Sequence, residues 1–350
     1  MSEVVLVTGG SGYFGSLLMT QLLEEGRRVR VLDIHDAADR APDVELVRGD
    51  IRDPDACARA ARGATQVFHN VAQVPLARDH QLFEEVNVTG TANLLEACLA
   101  AGVDKVVYTS SSAVFGVPDH NPVTRETPAR PVEAYGRAKY DGELLCLAAG
   151  TRGLDVSIIR PRTILGHGRL GIFGILFDWI ADGAAVPVLG DGSNIYQFVH
   201  ADDLAAACIL AAGRPGGATY NIGAERFGTM AEAVGGLCDH AGTGARVVHV
   251  PTRLTSAAMA VTGRLGLTPF GAYHWIMYSR SLWFDVTPAK EELGWSARWS
   301  NDEMFADSYD WFLQHRQEAG ADASASAHRR SARQGILGAA KWVLSRHPHG

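Results

Sequence analysis

The chain has 350 residues, of which 47% are hydrophobic and 20% charged, enough apolar material for a packed core and too little charge for a disordered chain. Its 32 basic and 39 acidic side chains leave a net charge of −7, which excludes the basic footprint of a nucleic-acid binder. No apolar run reaches the ~18 residues that a membrane-spanning helix needs, and Met1-Ser2-Glu3 followed by Val4-Val5-Leu6-Val7 lacks the basic start of a signal peptide.

The first half alternates short β-branched runs with helical stretches. Residues 4–7 predict a strand, 16–25 a helix, 29–32 and 45–48 strands, and 54–62 a helix. A strand at 66–69, a long helix at 82–101, a strand at 105–108, a helix at 134–149 and a strand at 156–159 follow. Short, β-branched runs separated by helices read as βαβ units around a parallel sheet buried on both faces. The expected fold is therefore α/β, a doubly wound parallel (Rossmann) sheet, with a smaller, interleaved C-terminal substrate lobe. Residues 1–165 are expected to form the dinucleotide domain, with 190–225 returning to it through strands at 198–200 and 218–222. Residues 166–189 and 226–318 are left for the substrate lobe. Residues 319–327 (AGADASASA) read as a linker.

Between the first strand and helix stands Thr8-Gly9-Gly10-Ser11-Gly12-Tyr13-Phe14-Gly15, in which Gly10, Gly12 and Gly15 fit G-x-G-x-x-G. In that context the glycines let the backbone approach a pyrophosphate, and the helix N-terminus attracts it. Asp33 ends the second strand, where a carboxylate binds the adenine ribose and repels a 2′-phosphate, so NAD is expected rather than NADP. Asp50, after the third strand, reads equally as an adenine contact and as a loop carboxylate.

Tyr135 and Lys139 share one face of a predicted helix. The cation favours the phenolate, and such a phenol can take a proton from an alcohol. Thr109-Ser110-Ser111-Ser112 ends the fifth strand, at the sheet edge where ligands bind; at least one of these hydroxyls satisfies only its own turn.

These residues resemble the extended short-chain dehydrogenase/reductase superfamily, in particular its NAD-dependent epimerase/dehydratase branch. The resemblance also rests on Gly49-Asp50-Ile51, Asn87-Val88-Thr89-Gly90-Thr91, Tyr135-Gly136-Arg137-Ala138-Lys139, Arg160-Pro161-Arg162, Phe198-Val199-His200-Ala201-Asp202-Asp203 and Phe284-Asp285 with Gly294-Trp295. It implies that Gly9, Gly10, Gly12, Tyr13, Phe14, Gly15, Asp33, Asp50, Ile51 and Lys139 hold NAD. It implies Ser111, Tyr135 and Lys139 as catalytic residues, and Ser111, Ser112, Tyr135, Tyr196 and Arg280 as substrate contacts. The family's dehydratases carry Asp-Glu where Ser112-Ala113 stand here, so epimerisation is expected rather than elimination. Nucleotide-sugar members carry Arg-Asp where Tyr196-Gln197 stand, and Leu267-Thr268-Pro269-Phe270 is similar to hydroxysteroid dehydrogenases. The expected substrate is a nucleotide sugar, with a steroid-like or lipid alcohol as the alternative.

Five dispersed cysteines without a CxxC pair point to a reducing cytoplasm. The thirteen histidines show no metal-binding spacing, and no metal is expected. Trp275, Met277, Tyr278 and Trp283 read as core, with lining of a substrate pocket as the alternative for some of them, and Glu96 and Glu143 as solvated helix faces. Residues 329–346 predict a basic amphipathic helix, which suits either peripheral contact with an anionic membrane or docking on this protein or a second subunit. A homodimer is expected.

Overall fold

The computed structural model describes residues 3–37, 39–73, 80–265, 267–268, 277–316 and 341. The chain forms two compact units, one of Met1–Arg162, Ala201–Gly223 and Phe284–Ala297, the other of Thr163–His200, Ala224–Trp283 and Arg298–Gly350. Element labels run in chain order through both.

The first unit opens with β1 (Val4–Thr8), α1 (Tyr13–Glu24), β2 (Arg28–Asp33), β3 (Glu45–Arg48), α2 (Pro54–Ala61) and β4 (Ala64–His69). It continues through α3 (His80–Glu84), α4 (Gly90–Ala101), β5 (Lys105–Thr109), α5 (Ala134–Thr151) and β6 (Asp155–Pro161). The later segments add α7 (Ala201–Gly213), β11 (Thr219–Ile222) and α10 (Thr287–Leu293). Seven parallel strands run β11-β6-β5-β4-β1-β2-β3, the doubly wound α/β sheet that the alternating pattern implies. All five residues of β1 and all five of β5 are buried, because helices cover both faces. The chain order reverses between β1 and β4, so the ligand crevice of this sheet type opens beyond their carboxyl ends, at Thr8 and His69.

Two expected elements differ. The helix expected over 82–101 is broken: a π-helical turn, Glu85–Thr89, separates α3 from α4. The buried Asn87 in that turn receives the Gln73 N–H at 2.7 Å and donates to the Gln73 carbonyl at 3.1 Å. The strand at Phe198–His200 does not join the large sheet; it pairs with Thr163–Leu165. The other returning strand, β11, does join the sheet beside β6, where Tyr220 pairs with Ile159. Only Ala201–Gly223 returns from that stretch, and Phe284–Ala297 returns as well. Phe284 bridges Val123, and the Trp295 indole donates to the Asp203 carbonyl at 2.8 Å.

Among the described residues the second unit contains three strand pairs. They are β7 (Thr163–Leu165) with β10 (Phe198–His200), β8 (Val186–Leu189) with β13 (Val247–Val250), and β9 (Ile195–Tyr196) with β12 (Gly228–Thr229). It also contains helices α6 (Phe173–Ala181), α8 (Met230–Ala241), α9 (Thr252–Arg264) and α11 (Asn301–His315). Capping boxes at Thr229/Glu232 and Ser300/Glu303 start α8 and α11. Phe173, Phe177, Phe198, Phe305, Tyr309 and Phe312 form its aromatic core. Met277 is buried and Tyr278 packs edge-on against Tyr196; Trp275 lies outside the described residues.

All five cysteines are buried thiols. Burial pushes Cys57, Cys98 and Cys208 up to about 12, Cys238 up to about 11, and Cys146 further still. Among the described residues no helix is long and apolar enough to cross a membrane. The expected linker at 319–327 and helix at 329–346 lie outside the described residues apart from Lys341, whose ammonium pairs with Asp178 and Asp182 of the second unit.

Candidate active site

The loop after β1 is shaped by its glycines. Gly9 has φ +72°, the left-handed region that favours glycine. A Cβ on Gly10 would lie 2.6 Å from Val31, and one on Gly15 would lie 2.1 Å from the Gly9 carbonyl oxygen. The loop therefore lies flat against β2, and α1 begins at Gly12 without a side-chain cap. An uncapped helix start offers backbone N–H groups and a positive dipole end. The Asp33 carboxylate is fastened over this loop, receiving the Ser11 N–H at 3.1 Å and the His35 N–H at 3.0 Å.

One more group faces the carboxyl edge of the sheet. Asn70, just past β4, accepts from the Thr109 hydroxyl at 2.7 Å. Its Nδ2 is buried and has no hydrogen-bond partner, a cost that a bound polar ligand would remove. The glycine cradle, the fastened carboxylate and this orphaned donor fit a dinucleotide such as NAD.

Three segments converge beyond β5. The Ser111 hydroxyl accepts from the Ala113 N–H at 3.2 Å and starts the short 3-10 turn Ser112–Phe115. Glu133 caps α5 by accepting from the Tyr135 and Gly136 N–H groups at 2.8 and 2.6 Å, which puts Tyr135 in the first turn of α5. A Cβ on Gly136 would lie 2.5 Å from the Ala113 carbonyl oxygen, so α5 meets the Ser111 turn at backbone contact. Tyr135 is half-buried and packs edge-on against Phe83.

One turn along α5, Lys139 is 2% exposed. Its ammonium donates to the Thr109 carbonyl at 2.8 Å and lies 4.8 Å from the centre of the Tyr108 ring. Burial lowers its pKa to about 8, with Glu143 pulling the other way. His69, buried between the Thr8 and Thr91 hydroxyls, is held neutral, its pKa lowered to about 3 by burial and then by the Lys139 charge. Lys139 is thus the cation of this pocket.

Glu143 corrects the sequence reading. It is 1% exposed rather than solvated. Its carboxylate takes two hydrogen bonds from Arg160, at 2.8 and 2.7 Å, and one from the Ser110 hydroxyl at 2.5 Å. The clasp ties α5 to the end of β5 and to β6, one turn beyond Lys139. Arg160 belongs to the Arg160-Pro161-Arg162 motif, but nothing in the spacing marks Glu143 as its partner. Glu96 does lie on a solvated face, paired with Arg152.

Each of the other expected site residues has its own surroundings. Asp50 is held by Arg52, whose hydrogen bonds keep its carboxyl below the usual range. Ile51 is 4% exposed and its side chain packs on Gly90, so its side chain belongs to the core. Ser112 departs from the substrate role: it is 2% exposed and its hydroxyl accepts from the buried Arg162 at 2.9 Å. Tyr196 departs likewise, being fully buried with its ring 4.9 Å from Phe198 and its hydroxyl 3.0 Å from that of Thr163. Its neighbour Gln197 is also fully buried and donates to the Ala224 carbonyl. Arg280 is exposed in a turn after Met277.

Among the described residues, His167, His200 and Asp307 bring three possible ligand atoms within 4.8 Å of one another. The contact between His200 Nε2 and Asp307 is 3.3 Å, and the His200 ring stacks on Trp299 at 4.2 Å.

A family model described as the NAD dependent epimerase/dehydratase family matches residues 5–223. The chain is 48% identical over 343 residues to the uncharacterized protein y4nG of Sinorhizobium fredii, covering 98% of this chain and 86% of that one. It is 31% identical over 334 residues to a UDP-glucose 4-epimerase of Mycolicibacterium smegmatis, covering 89% and 99%. Among solved structures, MoeE5 in complex with UDP-glucose and NAD superposes with a TM-score of 0.72 at 28% identity, covering 89% of this chain and 99% of that one.

Proposed function

Because the chain belongs to the NAD dependent epimerase/dehydratase family, a family of enzymes with NAD as cofactor, we propose that it epimerises a nucleotide-activated sugar. The observation that carries the reading is the buried Lys139 one turn from Tyr135, beside a Ser111 turn whose next two positions, Ser112 and Ala113, hold no acid. Elimination of water or decarboxylation needs a proton donor there, and Ser112 is committed to Arg162. The kinship to UDP-sugar enzymes supports the substrate class.

The Gly9–Gly15 loop, Asp33 and Asn70 would hold NAD, with Lys139 at its reactive end. When bound, NAD supplies reversible hydride acceptance, which turns a secondary hydroxyl into a ketone and back. Tyr135 Oη takes the hydroxyl proton as the carbon is oxidised and returns it on reduction. Lys139 Nζ stabilises the phenolate, and its bond to the Thr109 carbonyl holds it in place. Ser111 Oγ positions and polarises the reacting oxygen.

A second reading, net oxidation of a steroid-like or lipid alcohol, is favoured by Tyr196 and Gln197. Both are buried where a diphosphate-gripping arginine would be needed. One assay separates the two. Purified protein is incubated with UDP-hexoses and with 3-hydroxysteroids, while NADH absorbance is followed and products are analysed by mass and NMR. An equal-mass sugar epimer without net NADH supports epimerisation. Stoichiometric NADH with a steroid supports the second reading, and a sugar product lighter by one water overturns both. Tyr135→Phe should retain NAD binding and lose turnover by about 10²–10⁴-fold, the usual worth of a general acid–base.

A further inference from the structure

We propose that α9 seats the protein on the surface of an anionic lipid bilayer. Helix α9 carries Leu254, 72% exposed, and Val261, 54% exposed, and Leu265 at its C-cap is 67% exposed. Ala257 and Ala258 between them are exposed too. At ~100° per residue, positions 254, 257, 258, 261 and 265 fall within one arc of about 100°. The row is an outward-facing apolar stripe on a helix whose other face is half-buried.

Charge selects the occupant. Between Asp239 and Asp285 the sequence holds four arginines, Arg246, Arg253, Arg264 and Arg280, and no acidic residue. That stretch is net +4 in a chain of net −7, so the remainder carries −11. Arg253 is exposed at the edge of the stripe. An apolar helix face with Arg253 at its edge, in a stretch of net +4, is complementary to a negatively charged bilayer. A second copy of the chain is the poorer fit. The stripe is one row wide and about 16 Å long at ~1.5 Å per residue, far short of the ~800 Å² that each partner contributes to a standard interface. A bilayer accepts a single helix face.

The test uses the full-length protein and vesicles of phosphatidylcholine with or without phosphatidylglycerol. Sedimentation with the anionic vesicles is expected, weakening as salt rises. The double substitution Leu254→Glu/Val261→Glu should lower vesicle affinity at least tenfold while far-UV circular dichroism and NAD binding stay unchanged. Should that variant fold poorly, Arg253→Glu alone should weaken binding to anionic vesicles and leave NAD binding intact. Failure of the full-length protein to sediment with anionic vesicles overturns the proposal. Unchanged binding by the folded variants does so too, because it assigns the contact to another segment, such as the basic C-terminal residues. Loss of a dimer without any vesicle binding would instead make the stripe a contact between copies and equally refute it.

Discussion

Replacing Lys139 by Met tests the electrostatics of the site without reference to any substrate. Lys139 is 2% exposed and its pKa falls from 10.5 to about 8, chiefly through burial. At ~1.36 kcal/mol per pKa unit, the folded protein carries about 3 kcal/mol of strain at pH 7 for keeping this ammonium charged. Methionine removes that cost but leaves the Thr109 carbonyl without its donor, a loss of about 1–2 kcal/mol. The variant should therefore be more stable than the parent by about 1–2 kcal/mol at pH 7. The sign reverses with alkali. The folded-state pKa lies below the unfolded one, so between about pH 8 and ~10.4 the unfolded chain holds a proton that the folded chain has lost, and stability rises with pH. Only the parent gains this rise. Urea unfolding of both proteins at pH 7 and 10, followed by tryptophan fluorescence, reads the difference directly. Parallel stability curves would show that burial places no strain on the ammonium and would refute the lowered pKa.

Glu143→Ala should destabilise the protein by about 3–5 kcal/mol, because it strands the buried Arg160 guanidinium; a loss below 1 kcal/mol in denaturant melts would contradict the clasp. Gly15→Ala should lower NAD affinity at least tenfold in a fluorescence titration, since its Cβ would lie 2.1 Å from the Gly9 oxygen; an unchanged titration would mean the loop is not the cradle. Asp33→Ala should weaken NAD by about 1.5–3 kcal/mol, the worth of a charged hydrogen bond. Equal binding of NADP by the unsubstituted protein would count against the role given to Asp33.

The large sheet was legible because its central strands are buried on both faces and so appear as short, mostly apolar runs. Val4 to Val7, Val106 to Tyr108 and Val156 to Ile159 mark themselves. The glycine loop was legible for a related reason. A Cβ on Gly15 would run into the Gly9 backbone and one on Gly10 into the Val31 side chain. Glu143 was not legible. Its helix mixes small and polar residues on every side, and its partner Arg160 lies on the next strand, so no periodicity separates a buried carboxylate from a solvated one. Asn70 was missed because its significance is the lack of a partner for Nδ2, which only three dimensions reveal. The strand at Phe198–His200 was legible as a strand but not in its pairing. Three residues carry no register information, and β11 had already closed the edge of β6.

The depth of the five thiols gives the two compact units an internal reporter. Cys57, Cys98, Cys146 and Cys208 belong to the first unit, Cys238 to the second. Protonated and out of reach, each reacts with an alkylating reagent only while the structure around it is open. Alkylation in native buffer therefore counts opening events, and the mass of each cysteine-bearing peptide tells which unit opened. If the sheet unit is the steadier of the two, the label on Cys238 appears first, and NAD slows the other four without slowing it.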